Sequence, residues 1–209
     1  KEMEYFMDER LFWSFNDKIR GNCMWYSTSI FPLSLNYKDL RKVSRNKDHY
    51  FLQFDFSKNK IKERQGFKIH ISATIKNYEQ ILDIIFNFCK KNEIIFKYIA
   101  NKYELKKNLS GLCSLWSTGK FITIYPQPED FRSIVLKLYS LPELKELKGI
   151  YVLTDRRYRD SNTIFYRYGI LNNDSNKCIL DPNGKYLYTD YLVSKYQLPY
   201  FVNEPFPIN

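Results

Sequence analysis

Apolar and polar residues alternate strictly along Phe67–Ala73 (FKIHISA). Phe67, Ile69 and Ile71 fall on one side and Lys68, His70 and Ser72 on the other, as in a half-buried strand. The period then changes. Tyr78, Ile81, Leu82, Ile85, Phe88 and Cys89 recur at helical spacing and predict an amphipathic helix running to about Asn92. Asn77 stands at its N-cap position, with Gln80 at the capping-box position. Glu93–Ile99 (EIIFKYI) predicts a second strand. Lys120–Tyr125 (KFITIY), entered through Gly119 and ended by Pro126, predicts a third. Its alternation sets Phe121, Thr123 and Tyr125 against Lys120, Ile122 and Ile124. Pro128, Glu129 and Asp130 open another helix, with Phe131, Ile134, Val135, Leu138 and Leu141 as its stripe. Ile150–Thr154 and Thr163–Tyr168 predict two more strands, joined by the charged loop Asp155–Ser161.

The flanks are less regular. His49–Phe56 (HYFLQFDF) alternates as a strand, and Lys58–Arg64 is a basic loop. The segments around Tyr5–Phe15 and Trp25–Phe31 are aromatic-rich without a clear period. Asp181–Gly184 (DPNG) signals a turn. Pro199, Pro205 and Pro207 predict an extended tail. Strands alternating with helices, followed by a strand-rich end, indicate an α+β fold with a mixed sheet. The chain divides into an N-terminal part (1–64), a core (65–198) and a C-terminal tail (199–209).

Of the 209 residues, 33 are Lys or Arg and 23 are Asp or Glu, giving a net charge of +10. That surplus points to an anionic partner: nucleic acid, an acidic membrane surface or a phosphorylated substrate. Only 7 glycines are present, which argues against a glycine-rich phosphate loop. The aromatic share of 18% accompanies abundant Lys, Asn and Ile, as an AT-rich genome would produce, and so does not indicate base stacking. No apolar run approaches the roughly 20 residues of a membrane span. Cys23, Cys89, Cys113 and Cys178 form no CxxC pair and no zinc spacing, and read as reduced thiols of a cytoplasmic protein. With only His49 and His70, a multi-histidine metal site is excluded and histidine chemistry rests on one of the two.

Four places carry candidate chemistry. Lys68 and His70 project together from one strand, about 7 Å apart. They form either a solvent-facing polar strip or an anion site with an acid or base beside it. Lys97 lies among apolar neighbours, either snorkelling at a sheet edge or partly buried with a lowered pKa. Asp155-Arg156-Arg157-Tyr158-Arg159 is either a solvated loop or, with Arg167 of the aromatic strand IFYRYG, a source of phosphate-binding forks. Tyr125 ends the strand that Lys120 opens.

Five blocks in order, GFKIHISAT (66–74), FKY (96–98), TGKFITIYP (118–126), LTDRRY (153–158) and FYRYG (165–169), resemble the lyase domain that opens class III and class IV lanthipeptide synthetases. The KxH strand is also similar to the motif of the phosphothreonine lyases among bacterial secreted effectors. The resemblance covers about residues 49–206 and includes the closing LPYFVNEPF. It implies a largely antiparallel twisted sheet flanked by helices. It implies β-elimination of phosphate from phosphoserine or phosphothreonine in a ribosomal precursor peptide, giving dehydroalanine or dehydrobutyrine without metal or cofactor. Lys97 then matches the general base and His70 the general acid. Lys68, Arg157 and Arg167 match phosphate-binding groups, with Arg156 competing with Arg157, and Tyr125 matches a further active-site residue. The effector lyases carry an additional arginine between the base and the motif tyrosine. No arginine lies between Arg64 and Arg132 here, leaving Lys120 as the substitute. The implied partners are the phosphorylated precursor peptide, core plus leader, and kinase and cyclase domains of the same synthetase, with neither nucleic acid nor a membrane. The competing reading is a non-catalytic basic module binding phosphopeptide or nucleic acid.

Overall fold

A strand can hold a functional row only if its neighbours keep register, and here they do. The computed structural model describes residues 29–33, 40–45, 49–58, 60–171 and 177–207. The segment Tyr5–Phe15, most of Trp25–Phe31, and Cys23 lie outside the described residues. Within them run β1 (Leu40–Arg45), β2 (Tyr50–Asp55), β3 (Gln65–Ile71), α1 (Tyr78–Lys91), β4 (Ile95–Ile99), α2 (Lys102–Leu109), β5 (Ile122–Tyr125), α3 (Phe131–Tyr139), β6 (Arg156–Arg157), β7 (Ile164–Ile170), β8 (Cys178–Leu180) and β9 (Tyr186–Thr189). Seven strands form one sheet in the order β1-β2-β4-β5-β3-β7-β6, with β8-β9 as a separate hairpin. Every pairing is antiparallel. The class is α+β, and β1 and β2 join the main sheet although they precede residue 65.

Residues directly opposite in an antiparallel ladder share a face. One row therefore reads Phe54, Phe96, Ile124, Ile69 and Tyr166. These are buried against Ile81, Leu82, Ile85 and Phe86 of α1 and Phe131, Ile134, Val135 and Leu138 of α3. The aromatics interlock: Phe54 stacks on Phe96 at 5.4 Å and meets Phe86 edge-on at 5.3 Å. The opposite row reads Gln53, Lys97, Thr123, His70, Phe165 and Arg157. The helices cover the first face, so this second face is left to carry the polar side chains.

Two local expectations are corrected, and one helix went unread. Asn77 stands at the N-cap of α1, but its side chain makes no cap bond. Its Oδ1 accepts from Thr74 N at 2.8 Å and its Nδ2 donates to Lys148 O at 2.7 Å, tying two loops instead. Ile150–Thr154 forms no strand. Val152 and Thr154 are buried while Tyr151 and Leu153 are exposed, so the alternation is real, but the segment joins no ladder. Its alternation records burial without pairing. The helix Lys102–Leu109 was not foreseen; Asn101 caps it by accepting from Tyr103 N at 2.8 Å. The turn Asp181–Gly184 closes the β8-β9 hairpin, with Gly184 at φ 82° and its N–H donating to Asp181 O at 2.9 Å.

Candidate active site

The helix-free face opens into a cavity of about 380 Å3. β3 contributes Lys68 and His70, β4 Lys97, β5 Tyr125 and β7 Arg167, and Lys120 enters from the segment leading into β5. The register sets Lys97 and His70 on either side of Thr123 in one cross-sheet row. Strands are about 4.8 Å apart, so their Cα atoms stand about 10 Å apart with a small side chain between them. Lys68 and Arg167 face each other directly across β3 and β7.

Two buried carboxylates organise these cations, each holding two basic groups. The Asp155 side chain is fully buried. It accepts from His70 Nδ1 at 2.5 Å and pairs with Lys120 Nζ at 2.8 Å. Thr154 Oγ1 donates to it at 3.1 Å. Asp190 follows β9 and pairs with Lys68 Nζ at 3.0 Å and with Arg167 Nη2, and accepts from Ile170 N at 3.2 Å. Its backbone carbonyl accepts from the same Nη2 at 2.9 Å. A buried charge is tolerated only when paired and hydrogen-bonded, and this arrangement satisfies both conditions.

The protonation states follow from these surroundings. Burial dominates at His70 and, with Lys120 and Lys68 nearby, outweighs Asp155, lowering its pKa to about 3. The imidazole is therefore neutral at pH 7, with its proton on Nδ1 toward the carboxylate. Asp155 is held well below the usual carboxylate range by Lys120 and His70 against the opposing effect of burial, and Asp190 likewise by Lys68 and Arg167. Burial lowers Lys97 to about 8, offset in part by the Asp190 charge. Its Nζ lies 4.5 Å from the Phe51 ring centroid and 5.8 Å from that of Tyr125. Burial lowers Lys120 to about 8 as well, and pushes the Tyr125 phenol up to about 12.

Six residues singled out from the sequence thus line one cavity: Lys68, His70, Lys97, Lys120, Tyr125 and Arg167. Arg156 and Arg157 do not. Arg156 pairs with Tyr166 in the ladder and so points to the helix-covered face. There it lies 4.7 Å from the Tyr196 ring centroid and 3.6 Å from Glu204 Oε2. Arg157 shares the cavity face by register but stands exposed on the edge strand, beyond Phe165. Lys120 also departs from expectation. Regular pairing begins at Ile122, so Lys120 escapes the alternation and joins Thr123 and Tyr125 at the cavity, while Phe121 packs in the core. His49 bonds Asn108 Nδ2 through Nε2 at 3.1 Å and does not line the cavity.

Sequence reasoning missed Asp155 and Asp190 as organisers, and Asn108. Asp155 had a signal, a lone acid opening an arginine run. Asp190 had none. Asn108 donates to Ser117 O at 2.7 Å and accepts from Gly119 N at 3.0 Å, shaping the loop that carries Trp116 and Lys120 to the cavity. Among the described residues, no three His, Cys, Asp or Glu side chains converge to hold a metal ion, and no helix is long and apolar enough to cross a membrane.

A sheet row pairing a half-buried lysine with an aspartate-held histidine, flanked by further cations, makes a basic cavity of the kind an anionic substrate would fit. Residues 36–209 match the family described as RamC, N-terminal domain, and the chain belongs to it. This agrees with the resemblance of the five blocks to the domain that opens a lanthipeptide synthetase. A protein of Streptomyces coelicolor named "Probable SapB synthase" is 34% identical over 106 residues, 50% of this chain. The match spans only 11% of that protein's length. Among solved structures, the Chromobacterium violaceum VirA (SpvC) phosphothreonine lyase effector is similar at TM-score 0.47 and 15% identity, covering 76% of this chain and 84% of that one. The Shigella flexneri type III effector and phosphothreonine lyase OspF is similar at TM-score 0.46 and 17% identity, covering 81% and 93%.

Proposed function

We propose that the cavity catalyses β-elimination of phosphate from phosphoserine or phosphothreonine in a precursor peptide, as a step of lanthipeptide biosynthesis. The observation that carries this reading is the row Lys97, Thr123, His70 beside the paired cations Lys68 and Arg167. A base and an acid set about 10 Å apart leave room between them for one phosphorylated residue lying over Thr123. Lys97 as the free amine takes the α-proton. The C–H electrons form the Cα=Cβ bond and the Cβ–O bond breaks. His70 gives a proton to the departing phosphate, so Lys97 ends protonated and His70 neutral.

The charges support these roles. Lys68, Lys120 and Arg167 oppose the phosphate dianion and the charge that grows on it. Burial lowers Lys97 to about 8, so a fraction of the amine is free to act as a base near neutral pH. His70 is neutral in the free site, and the incoming dianion supplies the negative charge that lets it take up its second proton. Asp155 holds the ring and stabilises the imidazolium, and Tyr125 lines the wall as a neutral phenol. Arg156 and Arg157 have no part in this reading. The step needs no metal and adds no water. It belongs in the cytoplasm, with kinase and cyclase domains of the same synthetase supplying and consuming the intermediates.

The test is a phosphopeptide incubated with the protein in chelator. Loss of about 98 Da (one H3PO4), leaving an alkene that adds thiols, is the expected result. Release of phosphate with the hydroxyl restored, or no reaction, would overturn the reading.

A further inference from the structure

Gly169 lies on the cavity face of β7, two residues beyond Arg167. A Cβ there would stand 2.7 Å from Lys68 Cε, 2.8 Å from Lys68 Nζ and 2.8 Å from Asp190 Oδ1. Those distances are shorter than a side-chain carbon tolerates. The space a Cβ would fill is taken by the Lys68–Asp190 ion pair itself. Lys68 starts on β3 directly opposite Arg167, and its stem runs diagonally across β7. Its ammonium ends 3.0 Å from Asp190 Oδ2 and 3.4 Å from Ile170 O. Two cations at opposed positions on neighbouring strands repel unless an anion is shared. Asp190 is that anion, since its other oxygen takes Arg167.

We propose that Gly169 is a positioning residue: its missing side chain is the passage by which Lys68 reaches Asp190, so that Lys68 and Arg167 are held side by side as one two-pronged phosphate clamp. Without the passage the Lys68 stem must rise off the sheet into the cavity, where the substrate would sit. The proposal rests on the reading of the cavity as a phosphate site, but the passage itself is a statement about Gly169 and Lys68 that can be tested separately.

The experiment is a double-mutant cycle on the 209-residue chain, with Gly169→Ala made in the wild type and in Lys68→Ala. Lys68→Ala removes two of the three close contacts and releases the Asp190 carboxylate from its lysine. Two quantities are read: the dissociation constant of inorganic phosphate by calorimetry, and the melting temperature. In the wild type, Gly169→Ala should weaken phosphate binding by about tenfold, the worth of one charge-assisted hydrogen bond. In Lys68→Ala it should change binding by less than about twofold, and its melting penalty should shrink. Equal penalties in both backgrounds would overturn the proposal. If the wild type binds no phosphate, the functional reading falls and the melting cycle alone decides, a shrinking penalty upholding the passage and an equal one refuting it. If Gly169→Ala alone does not fold, recovery of folding in the double variant supports the proposal and continued unfolding refutes it.

Discussion

Lys97→Met should make the protein more stable and nearly inactive. Methionine matches the lysine stem in length without its charge. Burial lowers the Lys97 pKa from 10.5 to about 8. A depression of that size corresponds to about 3 kcal/mol of destabilisation at pH 7, where the amine is charged in both states. The half-buried side chain meets cavity water, which reduces this figure, and loss of the contact with Phe51 takes away about another 0.5–1 kcal/mol. The expected net gain is about 1–2 kcal/mol, or about 2–8 °C in melting temperature for a chain of this size. The sign reverses the usual one for a lysine with a partner. The folded state releases its proton near pH 8 and the unfolded chain near 10.5, so wild-type stability rises across that window and the gap to Lys97→Met closes. Denaturant titrations of both proteins at pH 7 and pH 10 measure it, and the elimination assay should show a loss of about 10²–10⁴-fold. A variant less stable than the wild type at pH 7, or a gap that does not change with pH, would refute the reasoning.

Three further outcomes are expected. Asp155→Asn leaves Lys120 buried without its counterion and should cost about 3–5 kcal/mol, read as a lowered denaturation midpoint. His70, lowered to about 3, is neutral in the fold, while the unfolded chain protonates below about 6.5. Stability should therefore fall as pH drops from about 6.5 toward 3, and less steeply in His70→Gln, by denaturant midpoints at successive pH values. Arg156→Ala should leave elimination rates within about twofold while costing under about 1 kcal/mol in thermal melts, because only Tyr196 and Glu204 lose a contact.

The parts of this structure that were legible in the sequence are those governed by period. Ile69 and Ile71 of β3 and the stripe of Tyr78–Cys89 are buried as period predicts, with Phe67 packed partly buried against the core, and the KxH pair shares one face as two-residue spacing requires. Those periods say nothing about which strand lies beside which. The placement of β3 between β5 and β7 brings Lys68 to Arg167 and His70 to Thr123, and neither contact follows from chain order. The two aspartates were hidden for a related reason. A buried carboxylate looks like a surface one until its partners, 85 residues away for His70 and 122 for Lys68, are brought to it. Arg156 and Arg157 were both drawn toward the site by residue type, and strand register alone separates them.

The cross-sheet row has a consequence for how this protein comes into being. Gln53, His70, Lys97, Thr123 and Phe165 meet in an order unlike that of the chain, because β3 must close between two strands made after it. Pairings of that kind form late, since long loops must close before any contact repays them. Lys97 acquires its neighbour across Thr123 only when β5 is seated, and His70 finds Asp155 only when the chain has passed residue 155. A nascent or half-folded chain therefore lacks the row in which Lys97 and His70 flank Thr123, and on the proposed reading it would hold no elimination site until the sheet is closed.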